Sequence, residues 1–91
     1  MRRFLIEREI PGVQKLDGKG LRDAAKQSNA ALAKLGPEEI QWVESYVVAD
    51  KTYCVYLAKD EEAIREHARI SGFPASKISE IKTKIDPATA E

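Results

Sequence analysis

The sequence predicts an α+β sandwich, in which a four-stranded antiparallel sheet is covered on one face by two helices. Three observations carry that expectation. Stretches of two-residue and of 3.6-residue periodicity follow one another in the order strand, helix, strand, strand, helix, strand. Glycine and proline mark the ends of these stretches at Pro11-Gly12, Gly36-Pro37 and Gly72-Phe73-Pro74. The two middle strands are separated only by Ala49-Asp50-Lys51, short enough for a hairpin. With right-handed crossovers in both halves, this order gives the split βαβ, ferredoxin-like arrangement.

The first strand is Arg3 to Ile10. Asp17 then caps a helix whose apolar and small residues fall at Leu21, Ala24, Ala25, Ser28, Ala31, Leu32 and Leu35, the spacing of one helical face. Gly36-Pro37 ends it. Ile40–Val48 and Thr52–Ala58 are rich in β-branched and aromatic residues and form the central hairpin. Asp60 caps the second helix, and Glu61 and Glu62 favour the positive end of its dipole. Gly72 stops that helix, and Lys77–Ile85 alternates as a last half-buried strand. The domain is expected over residues 1–85, followed by a flexible polar tail, 86–91.

Ninety-one residues make one small domain with a thin core, for which association would be useful. Fifteen basic and fifteen acidic residues cancel, and they are interleaved, which argues against nucleic-acid binding. No apolar run approaches the roughly 18–20 residues of a membrane span. The first ten residues alternate charge with hydrophobicity, unlike a signal peptide, so cytoplasmic residence is expected. A single cysteine, Cys54, agrees with a reducing compartment.

Two helices cover one face of such a sheet, and the composition of the other face indicates what covers it. With a two-residue loop at Asp50-Lys51, Trp42, Glu44, Tyr46 and Val48 share a face with Tyr53, Val55 and Leu57. That is a large aromatic surface, so a homodimer is expected with Trp42, Glu44, Tyr46, Tyr53 and Val55 at its interface. Glu44 would then pair with Arg8 or Arg3 across the subunit boundary. Val43, Ser45, Val47, Cys54, Tyr56 and Ala58 face the helices.

On the second helix, Ala63, Ile64, His67, Ala68, Ile70 and Ser71 fill one side, so His67 points at the sheet. It is either a buried neutral histidine bonded to a hydroxyl or backbone group, or a ligand or base in a pocket with Ser45, Cys54 and Tyr56. His67 and Cys54 suit a late transition metal such as nickel or zinc. No second ligand stands one turn away, and no HxxxH, HExxH or CxxC exists. Glu62 and Glu66 stand one turn apart, yet Glu61–Arg65 and Glu66–Arg69 are ordinary helix pairs on a solvated face.

The run Ile40 to Val47, with Tyr53 to Ala58, Glu62 to Ala68 and Gly72-Phe73-Pro74-Ala75, resembles a family of small bacterial proteins typified by a nickel-responsive, nickel-binding member. The similarity runs from the first strand to about Ile81, and the W-V-x-S-Y, C-x-Y and G-F-P-A elements carry it. The resemblance implies a ferredoxin-like homodimer and, in at least one branch, nickel bound at the surface. The function expected is therefore a dimeric, non-enzymatic protein that binds a divalent metal, nickel first, through His67 and Cys54. The alternative is a small-molecule binder or cofactor-free enzyme of the dimeric α+β barrel type, with His67, Ser45 and Tyr56 lining the cleft.

Overall fold

A computed structural model describes all 91 residues. The chain forms β1 (Arg2–Glu9), a 3-10 turn at Val13–Lys15, α1 (Gly18–Leu35), β2 (Ile40–Val48), β3 (Lys51–Ala58), α2 (Glu61–Ser71) and β4 (Lys77–Glu80). The strands make one antiparallel sheet in the order β2-β3-β1-β4, the ferredoxin-like order. Both helix starts are capped as their sequences require. Asp17 accepts from the Gly20 amide at 2.8 Å and Asp60 from the Ala63 amide at 2.9 Å. Gly72 closes α2 at φ 83°, a left-handed position that a side chain would strain.

Along β1 the residues Phe4, Ile6 and Arg8 turn inward, and along β3 Thr52, Cys54, Tyr56 and Ala58 do the same. Ile40, Ala63 and Ile64 complete the core between sheet and helices. Burying side chains of the size of Ile6 and Ile64 contributes about 1.5–3 kcal/mol each, so this layer is the main source of stability.

The hairpin differs from expectation in two respects. Its loop is Ala49-Asp50, which sets Tyr46 opposite Tyr53 and Glu44 opposite Val55. Moving the loop back by one position shifts each cross-strand partner by two, which leaves the faces unchanged because side chains alternate with period two. The second difference does change a face. A β-bulge falls between Trp42 and Glu44, with Val43 the extra residue, so Trp42 pairs with Tyr56 and shares its inward side. Trp42 is thus part of the helix-covered layer, stacked on Tyr56 at 6.5 Å between ring centres, and it is not on the open face with Tyr46.

The last strand is also shorter than Lys77–Ile85. Pairing with β1 covers Lys77–Glu80 and closes with the Ile81 amide on the Arg3 carbonyl at 2.8 Å. There β1 runs out, so Lys82 to Ile85 has no strand to pair with and Ile85 stays exposed. Pro87–Ala90 forms a single 3-10 turn capped by Asp86.

Candidate functional site

The inward pattern of β1 ends on a charge. Arg8 is in phase with Phe4 and Ile6 and is only 2% exposed. Its Nη1 donates to the carbonyls of Phe73 at 3.1 Å and Pro74 at 3.0 Å, in the loop that follows α2. The guanidinium lies over the Tyr56 ring, 5.7 Å from its centre, and Nη2 stands 3.5 Å from His67 Nδ1. Arg8 therefore cannot pair with Glu44 across the sheet. Glu44 instead accepts the Tyr46 hydroxyl on the open face, and that bond holds the phenol above its ordinary range.

His67 is fully buried, as its place at the centre of the inward face of α2 requires. Its neighbours fix its tautomer. A guanidinium is only a donor, so Nδ1 must accept, and Nε2 carries the hydrogen. That hydrogen is shared between Ser28 Oγ at 3.2 Å and the Ser28 carbonyl at 3.4 Å. Burial, then the charge of Arg8, pushes the imidazole pKa down to about 4, so the ring is neutral at physiological pH. Ser28 Oγ in turn lies 3.4 Å from the Tyr56 hydroxyl, and the Tyr56 ring sits 5.2 Å from the imidazole. Burial raises the Tyr56 pKa against the opposing effects of Ser28 and Arg8, which keeps the phenol protonated.

Beside this cluster, between α1, the sheet and the 3-10 turn, lies a cavity of about 350 Å³. Its origin is visible in α1, where the residues turned to the sheet are Ala24, Ala25 and Ser28, too small to fill the space. Ile10, Val13, Leu21, Trp42, Val47 and Phe73 supply apolar wall, while Arg8, Ser28, Ser45, Thr52 and Tyr56 supply polar atoms. Leu16, Leu21 and Val47 are also solvent-exposed, so the cavity opens beside them.

The structure brings Ser45, Cys54 and Tyr56 to this wall, but His67 is not among the lining residues. The cleft-lining role expected of His67 is corrected: it stands behind Arg8, Ser28 and Tyr56 and orients them. Ser45 is taken by the Trp42 indole, whose Nε1 donates to its Oγ at 2.9 Å, a contact that the bulge makes possible. Cys54 Sγ lies 3.4 Å from Thr52 Oγ1 within the buried layer. Glu44, Tyr46, Tyr53 and Val55 lie on the open face.

These residues do not fit a metal. No group of three or more His, Cys, Asp and Glu side chains is placed so that it could hold a metal ion. Both ring nitrogens of His67 are engaged, and a divalent cation at Nδ1 would sit against the Arg8 guanidinium. On the outer face of α2, Glu66 pairs with Arg69 and Glu61 with Arg65 at 3.6 Å, the solvated face expected there. No helix is long and apolar enough to cross a membrane.

The residues that sequence reasoning missed are Arg8 and Ser28. Arg8 had a signal, since the alternation of Phe4 and Ile6 continues to it in phase. Ser28 was placed on the inner face of its helix, but its partners come from α2 and β3 and leave no local trace.

Fold and site together define a small ferredoxin-like α+β protein with a buried polar cluster beside a mainly apolar cavity. The sequence profile of the nickel-responsive SCO4226-like protein family matches residues 4–81. The chain belongs to that family. Its structure is similar to the crystal structure of SCO4226 from Streptomyces coelicolor A3(2), with a TM-score of 0.70 and 21% identity over 91% of this chain and 99% of that one. At that identity the likeness supports the shared fold. No curated protein matches the sequence.

Proposed function

We propose that this member of the nickel-responsive family is a binding protein that takes a small molecule into the cavity beneath α1. The observation that carries the reading is the cavity itself, of a size at the lower end of small-molecule sites and lined mainly by apolar side chains with a few convergent polar groups. Binding is favoured over turnover by the titration of the cluster. Arg8 is a permanent cation, Tyr56 is held protonated and His67 is held neutral, so none of the three is poised to shuttle a proton near neutral pH.

Trp42 lines the cavity and is the only tryptophan, so its fluorescence reports occupancy. Titration with small apolar molecules such as octanol and phenol is expected to change the emission saturably in the wild type. The change should be lost in Ala25→Leu, which fills the space. A response that never saturates, or is the same in both proteins, would overturn the reading.

Family membership favours a second reading, in which the chain binds nickel. Since His67 and Cys54 do not fit, such a site would use other donors. Calorimetric titration with nickel should then give saturable heat that survives in His67→Gln and Cys54→Ser, and its absence removes this reading. The open face, with Leu5, Tyr46 and Val48 exposed, supports a homodimer through the sheet.

A further inference from the structure

The charge of Arg8 is not neutralised within the chain. The ion pairs of the protein join other lysines and arginines to carboxylates, and Arg8 takes part in none of them. Two carbonyls, one imidazole nitrogen and an aromatic face solvate the guanidinium without cancelling its charge. A guanidinium carries five N–H donors, and these contacts use three, leaving Nε–H and one hydrogen of Nη2. The cavity on whose wall Arg8 sits has no aspartate or glutamate among its lining residues.

The neighbouring hydroxyls are also left with a donor to spare. His67 Nε2–H donates to Ser28, so Ser28 and Tyr56 hold two hydroxyl hydrogens but share a single O···O contact. One O–H is therefore left over, and both residues line the cavity. A permanent cation and a spare hydroxyl hydrogen converge on one apolar space, and both call for an acceptor that bears negative charge.

We propose that the cavity binds a small apolar monocarboxylate, its carboxylate on Arg8 and the Ser28–Tyr56 hydroxyls and its hydrocarbon body against Val13, Leu21 and Trp42. The proposal rests on the cavity reading above and names its ligand class. A monoanion matches the single cation. A phosphate dianion would leave net negative charge in an apolar enclosure that has no lysine and no second arginine on its walls. The body can be aliphatic or aromatic, and the two sources are separated by experiment.

The test is calorimetric titration of the full chain with octanoate and phenylacetate, each beside its neutral amide. At least one acid is expected to bind saturably and at least tenfold more tightly than its amide, the ratio due to a charge-assisted pair. Binding of octanoate alone assigns an aliphatic ligand, and of phenylacetate alone an aromatic one. Ala25→Leu should weaken acid and amide together, whereas Arg8→Gln, where circular dichroism shows it folded, should collapse the acid–amide ratio. The wild-type comparison stands without either variant. Equal affinity for acid and amide would overturn the carboxylate site while leaving the cavity reading intact, and no saturable binding by any of the four would overturn both.

Discussion

Protonation of His67 should destabilise this protein at mildly acidic pH. The ring is fully buried, its Nδ1 faces a guanidinium, and its folded pKa is about 4 against 6.5 in an unfolded chain. The sign follows from proton uptake. Below pH 6.5 the unfolded chain gains a proton that the folded one refuses, so stability is present above 6.5 and is lost progressively as pH falls towards 4. At pH 5 the full shift corresponds to about 2 kcal/mol. The cavity beside the cluster opens to solvent, whose screening reduces this to about 1–2 kcal/mol. For a domain of this size that is a fall of about 5–10 °C in Tm between pH 7 and pH 5. Glu66 and Glu80, whose pKa values are lowered by hydrogen bonds from Arg69 and Arg2, lose their charge below the carboxylate range and leave this window to His67. Thermal unfolding by circular dichroism, with His67→Gln alongside, measures the effect, because glutamine can accept from Arg8 without titrating. An equal slope in both proteins, or a His67 ring signal titrating near 6.5 by NMR, would refute the reasoning.

Three further outcomes are expected. Ala49 occupies the first loop position of the hairpin at φ 50°, which a side chain tolerates poorly. Ala49→Gly should stabilise by roughly 0.5–1 kcal/mol in urea unfolding. Deleting Val43 removes the bulge and drives either Trp42 out of the inner layer or the Ser45–Val47 segment into the wrong phase. It should cost at least ~2 kcal/mol and shift Trp42 emission to the red, while an unchanged spectrum would contradict the bulge assignment. Tyr46 is 54% exposed on the uncovered face of the sheet, on the edge strand β2. If that face joins two copies, Tyr46→Arg should halve the mass seen by sedimentation equilibrium, and a monomeric wild type would dismiss the dimer.

The layout was legible because local signals and global packing agreed. Asp17, Asp60, Gly36 and Gly72 sit at the helix ends that their chemistry favours, and the period-two pattern of β3 places Cys54 and Tyr56 inward without ambiguity. His67 faces the sheet because Ala63, Ile64 and Ser71 share its side of α2. The bulge at Val43 was not legible, since one extra residue inverts a strand's faces with no composition of its own, and Trp42 was misplaced for that reason. The shortened β4 was hidden because Lys77–Ile85 alternates correctly, whereas the limit comes from where β1 ends. The site was least legible of all. A charge in a core phase reads as a surface residue until the carbonyls of Phe73 and Pro74 are brought to it by the chain's return from α2.

The most direct test of a cavity organised around Arg8 is its own N–H resonance. In ¹⁵N NMR, the Arg8 Nε–H should shift downfield and become protected from exchange when octanoate or phenylacetate is added, together with the Trp42 indole N–H on the same wall. Shifts confined to Tyr46, Tyr53 and Val55 on the open face, with Arg8 and Trp42 unmoved, would place binding elsewhere and contradict it.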